Sequence, residues 1–164
     1  MSLKTTIEDD CRRALKENES ARLSTLRMAL AALKNREIEK RTRLSKSGMS
    51  GEELEEGSVL TDEETLGVIR SEFKKRRDAE VEFKKGGRND LAEKEKTEAL
   101  ILEWYLPAEV PDEEVEKAVR EAVAALGVAT EKDFGRVMGE AMKRLKGQAG
   151  GERVSAMVKK LLEG

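Results

Sequence analysis

The chain has 164 residues, is 40% charged and 38% hydrophobic, and carries 32 Lys and Arg against 34 Asp and Glu, for a net charge of −2. With no histidine and one cysteine, Cys11, a Cys/His zinc site, a Ser-His-Asp triad, a Cys-His pair and an internal disulfide are all excluded within one chain. A protein that is basic throughout is excluded too, so any nucleic-acid surface must be local.

Two prolines and 3% aromatic residues suit a helical protein in which each helix buries one narrow apolar stripe. The first helix is expected over about 2–17, with Leu3, Ile7, Cys11, Ala14 and Leu15 on one face. Cys11 then reads as a small core residue rather than a reactive thiol. "KENES" interrupts the pattern, and Ser20 can cap a second helix. There Leu23, Leu26, Leu30 and Leu33 alternate spacings of three and four, as in a bundle. Residues 45–59, "SKSGMSGEELEEGSV", lose this periodicity and are expected to form a mobile loop.

"TDEE" (61–64) has the form of a capping box. It opens a third helix with Leu66, Ile69, Phe73, Val81 and Phe83, stopped by Gly86-Gly87. Asn89 can cap a fourth helix whose inner face carries Leu91, Ala99, Leu102 and Trp104. Pro107 and Pro111 then break the pattern, since each disfavours helix before itself. The expected organisation is all-α: an N-terminal antiparallel helical bundle over 1–106, then a small three-helix domain over 107–164. The three helices are expected over about 112–126, ended by Gly127; about 131–146, capped by Thr130 with Asp133 and ended by Gly147; and about 151–163. No apolar run approaches the roughly 18–20 residues of a membrane span. The opening "MSLKTTIEDD" has no hydrophobic region, so a cytoplasmic protein without a membrane role is expected.

Charge is segregated along the chain. Residues 34–46 carry six cations (Lys34, Arg36, Lys40, Arg41, Arg43, Lys46) against two acids, and 50–72 carry eight acids against one arginine. Residues 107–133 carry eight acids against three cations, and 134–164 seven cations against three acids. Acids early and bases late in a helix satisfy the macrodipole without any ligand, so most of these blocks read as solvated faces.

"KRLKGQAGG" (143–151) differs, because the basic end of one helix meets the start of the next. Lys143, Arg144, Lys146, Gly147, Gln148 and Arg153, with Lys159 and Lys160 further on, are the candidate phosphate-contacting residues. The turn is not a P-loop, lacking a Gly-Lys-Ser/Thr ending and a preceding strand, nor a nucleophile elbow. No catalytic residue, metal-ligand set or cofactor is expected.

Taken with "RLSTLRM" (22–28), "LTDEE" (60–64), "GRNDL" (87–91) and "WYLP" (104–107), the stretch "FGRVMGEAMKRLKGQAGGERV" (134–154) makes the chain resemble the YqeY family, small all-helical bacterial proteins, along nearly its whole length. The last stretch also resembles the C-terminal tail of the B subunit of the glutamine-dependent aspartyl/glutamyl-tRNA amidotransferase. Gly139, Met142, Lys143, Lys146, Gly147, Ala149 and Val154 occupy its motif positions. Gly150-Gly151 departs from the Asn-Pro often found there, and the 45–59 segment is longer than the family pattern implies. The resemblance implies a two-domain helical fold and contact with tRNA, or with an aminoacyl-tRNA synthetase or amidotransferase subunit. By association the family is described as a carbon–nitrogen ligase using glutamine as amide donor. The residues, with no histidine and no convergent nucleophile–base pair, do not support that catalysis. The leading reading is therefore a non-catalytic tRNA-binding or tRNA-amidation accessory module. A protein-interaction adaptor docking on a synthetase or amidotransferase is the alternative, and ligase activity a further one by family association only.

Overall fold

A computed structural model describes residues 1–127 and 130–163. Among the described residues there are eight α-helices, one short 3-10 turn and no strand. The chain divides into two compact units, Met1–Leu106 and Pro107–Gly164. The fold class is all-α, and no described helix is long and apolar enough to cross a membrane.

The first unit contains α1 (Leu3–Lys16), α2 (Ser20–Lys46), α3 (Gly51–Ser58), α4 (Asp62–Lys85) and α5 (Asn89–Glu103). The Ser2 hydroxyl caps α1 by accepting the Thr5 amide at 3.2 Å, and α1 buries Ile7, Asp10 and Ala14. Leu15, expected on that face, points outward and is 54% exposed. It lies about 100° round the helix from Ala14, and only one of two adjacent residues can hold the centre of a narrow stripe. In α2, Leu26 and Leu33 are fully buried, while Leu23 and Leu30 flank them half-buried. The N-cap of α2 is Glu19 rather than Ser20, and that of α5 is Arg88 rather than Asn89; neither makes a side-chain capping bond.

The segment expected as a loop contains α3. Its helix is short and flanked by Gly48 and Gly51, both with positive φ, and that punctuation hides it from a periodicity reading. It forms because it packs on α2: Leu54 is half-buried, and a side chain at Gly57 would meet Met49 and Leu44. The capping box at α4 is present in full, with Glu64 N–H donating to the Thr61 hydroxyl at 3.1 Å and Thr61 N–H to the Glu64 carboxylate at 2.8 Å. Gly86 and Gly87 close α4, the second at φ 71°. The short connection turns α5 back along α4, where Arg76 meets Glu98 at 2.9 Å. The core gathers Ile7, Leu26, Leu33, Leu60, Ile69, Leu102 and Tyr105. Each fully buried aliphatic side chain there contributes about 1.5–3 kcal/mol. Trp104, expected on the inner face of α5, is 81% exposed.

The second unit contains α6 (Asp112–Leu126), a 3-10 turn (Glu131–Asp133), α7 (Phe134–Leu145) and α8 (Gly151–Glu163). Gly127 ends α6 in the left-handed conformation, φ 64°, which glycine adopts without steric cost. Thr130 and Asp133 pair through their side chains at 2.7 Å. The expected helix start at 131 is a 3-10 turn, and regular α-helix begins at Phe134. Val115, Val119 and Ala122 of α6, Val137, Ala141 and Leu145 of α7, and Val154 and Val158 of α8 close a small core around Ala149.

Candidate nucleic-acid interface

Helix α7 turns Val137, Ala141 and Leu145 inward, four residues apart, so Lys143 and Arg144 of its last turn face outward. The helix is stopped by two successive left-handed residues, Lys146 (φ 47°, ψ 41°) and Gly147 (φ 79°). The cap is therefore Lys146, with Gly147 continuing the turn. Lys146 N–H donates to Met142 C=O at 3.2 Å and Gln148 N–H to Leu145 C=O at 2.8 Å, satisfying carbonyls that the helix end leaves over. Ala149 drops into the core, and Gly150 C=O accepts Val154 N–H to start α8. The turn is also stitched to the start of the unit, where Val110 N–H donates to Gln148 C=O at 2.9 Å.

The eight candidate residues do not form one surface. Arg153 is committed to the fold: its guanidinium donates to Val110 C=O at 2.9 Å and to Asp112 at 2.6 Å, and reaches Glu109 at 3.2 Å. Arg144 is held between Glu140 at 3.1 Å and Glu121 at 3.4 Å. Gly147 is buried and Gln148 exposed. Lys159 and Lys160 lie eight and nine residues along α8 from Gly151, about 12–14 Å away along the axis. Lys159 lines a small cavity with Phe134 and Leu162. Lys160 lends a minor share to holding the Glu116 carboxyl below its usual range, an effect owed mainly to the hydrogen bond from Arg120. Lys143 and Lys146 remain as exposed cations of the turn, and neither makes an ion pair among the described residues. Glu152 stands in the first turn of α8, where its charge suits the helix dipole.

A further polar cluster lies in the first unit. The Tyr105 hydroxyl donates to Asp10 at 2.6 Å, and Asp10 also faces Arg13 at 3.3 Å and Arg22 at 3.5 Å. Burial, then the neighbouring Asp10 carboxylate, pushes the Tyr105 phenol up to about 12. The sequence signal was Asp10 itself, an acid three residues from Ile7 and four from Ala14 on the apolar face of α1. The cluster ties the end of α5 to α1 and α2. Among the described residues no group of three or more Asp, Glu or Cys side chains is placed to hold a metal ion.

The family model for YqeY-like proteins matches residues 4–162. An uncharacterized protein of the fission yeast Schizosaccharomyces pombe is 43% identical over 49 residues, which is 30% of this chain and 40% of that relative. The aligned segment thus spans about two fifths of the relative's length. With nearly its whole length matched, the chain belongs to the YqeY-like family.

Proposed function

We propose that this YqeY-like chain is a non-catalytic tRNA-binding or tRNA-amidation accessory module that grips the RNA backbone at the α7–α8 turn. The observation that carries the reading is Lys146. A non-glycine residue in the left-handed region costs about 1 kcal/mol, and glycine or asparagine usually holds this capping position. Here the position is a lysine whose side chain is exposed and without an ion partner among the described residues. Strain retained at a cation beside Lys143, which also has no ion partner among the described residues, supports a phosphate contact here. Lysine is a mobile point charge that suits phosphate without reading bases, so binding is weak and largely independent of sequence.

The test is fluorescence polarisation with total tRNA as salt is raised. Two to four neutralised phosphates give a log–log slope of roughly −2 to −3. Lys143→Ala with Lys146→Ala should remove about 1.5 from the magnitude of that slope and leave the helical signal intact. Equal affinity and equal slope for this double variant at low salt would refute the reading, and the turn is then only a corner between helices.

A further inference from the structure

In the first unit, α2 carries Lys34, Ile38 and Arg41 at helical spacing on one face. With Lys4 and Glu37, and Val59 just past α3, they line a shallow cavity of about 240 Å³. Ile38 is 52% and Val59 57% exposed, so two β-branched side chains face solvent together. One wall is fixed, because Lys4 and Glu37 pair at 2.6 Å with little exposure. The other cations are available. Lys34 has no ion partner among the described residues. Arg41 comes only to 3.9 Å of Glu55, with both side chains more than half exposed, which is too far for a hydrogen bond.

We propose that this face docks an acidic peptide segment of a partner protein, which inserts an aliphatic side chain between Ile38 and Val59 and lays carboxylates against Lys34 and Arg41. The lining holds three cations and one acid, and the acid is already paired with Lys4, so the lining itself is net positive and suits a carboxylate. The Arg41 guanidinium, paired only loosely with the exposed Glu55, offers the paired donors that match a carboxylate. The apolar centre decides against RNA, whose unpaired bases stack on aromatic rings rather than on branched aliphatics. It is also too small for a lipid surface, which takes the whole apolar side of a helix. This site is independent of the α7–α8 turn and stands or falls separately from the tRNA reading.

The experiment uses the full chain with isotope-labelled isoleucine and valine methyl groups, titrated with the capped peptide Glu-Glu-Ile-Leu-Glu-Glu. Saturable shifts are expected at Ile38 and Val59, with the fully buried Ile7 and Ile69 unmoved. Affinity should fall about tenfold or more in Lys34→Glu with Arg41→Glu, and likewise in Ile38→Ser. Both variants change exposed side chains, so their melting curves should stay near wild type. A Glu-Glu-Ser-Ser-Glu-Glu peptide should bind at least about tenfold more weakly, since it lacks the inserted apolar group. Absence of saturable shifts, equal binding of the serine peptide, or indifference to either variant overturns the proposal. So does a response of Ile38 and Val59 to total tRNA or to phosphatidylserine vesicles without one to the peptide.

Discussion

Replacing Arg153 by alanine should weaken the second unit by about 2 kcal/mol. The hydrogen bond to Val110 C=O joins a charged donor to a half-buried carbonyl, in a class of bond that contributes about 1.5–3 kcal/mol. A side chain that is 32% exposed places it at the low end. The contacts to Asp112 and Glu109 involve acids that are 78% and 53% exposed, so each adds only about 0.2–1 kcal/mol. Neighbouring contacts are not additive, which keeps the total near 2. Amide hydrogen exchange reads the effect in the intact chain: protected amides of α6, α7 and α8 should exchange roughly 30-fold faster, while those around Ile7, Leu26 and Ile69 stay unchanged. Arg153→Lys should recover part of the loss, because an ammonium cannot span three acceptors. Arg144→Ala, which removes only surface pairs, should cost under about 0.5 kcal/mol. If Arg153→Ala leaves protection within about threefold of wild type yet lowers the tRNA salt slope, Arg153 is a phosphate contact and not a structural tie.

Tyr105 is the only tyrosine, so ultraviolet titration follows it alone, and its midpoint should lie near 12. The folded pKa stands above the unfolded value of about 10. Its stabilisation is therefore complete below pH 10 and disappears as pH rises from there through the folded pKa; an ordinary midpoint in the folded protein would refute the buried bond to Asp10. Lys146→Gly should raise the stability of the second unit by about 1 kcal/mol in denaturant unfolding, by releasing left-handed strain. The same variant should weaken tRNA binding, and a destabilised Lys146→Gly would remove the strain argument.

How much of this was legible in the sequence depends on how local each cause is. The Thr61–Glu64 box spans four residues and its chemistry is complete in them, so it could be read directly. The same holds for the apolar faces of α6 and α8, where valines recur every four residues. Helix α3 could not be read this way, because its glycines argue against helix and its support comes from Leu44 and Met49 outside it. Trp104 and Leu15 were misplaced for a related reason: periodicity finds a face but not its edges, which neighbouring helices set. The turn shows the limit most clearly. Composition sees Arg153 as one more cation beside Lys143 and Lys146, and only the fold brings Glu109, Val110 and Asp112 back onto it across about 40 residues.

The bond from Tyr105 to Asp10 closes across 95 positions, and this sets an order on synthesis. As the chain leaves the ribosome, α1 and α2 emerge first, with Asp10 on the face that must later be buried and no phenol to receive it. Such long-range closure slows folding. At about 5–20 residues per second, the wait for the end of α5 is roughly 5–20 s. During that interval Ile7, Leu26 and Leu33 have no finished core. The ties of the second unit close over shorter spans, the bond from Arg153 to Val110 across 43 positions. A chain stalled before Tyr105 therefore exposes unsealed apolar helices to chaperones, while one that has passed it can complete its first unit before the tail has been made.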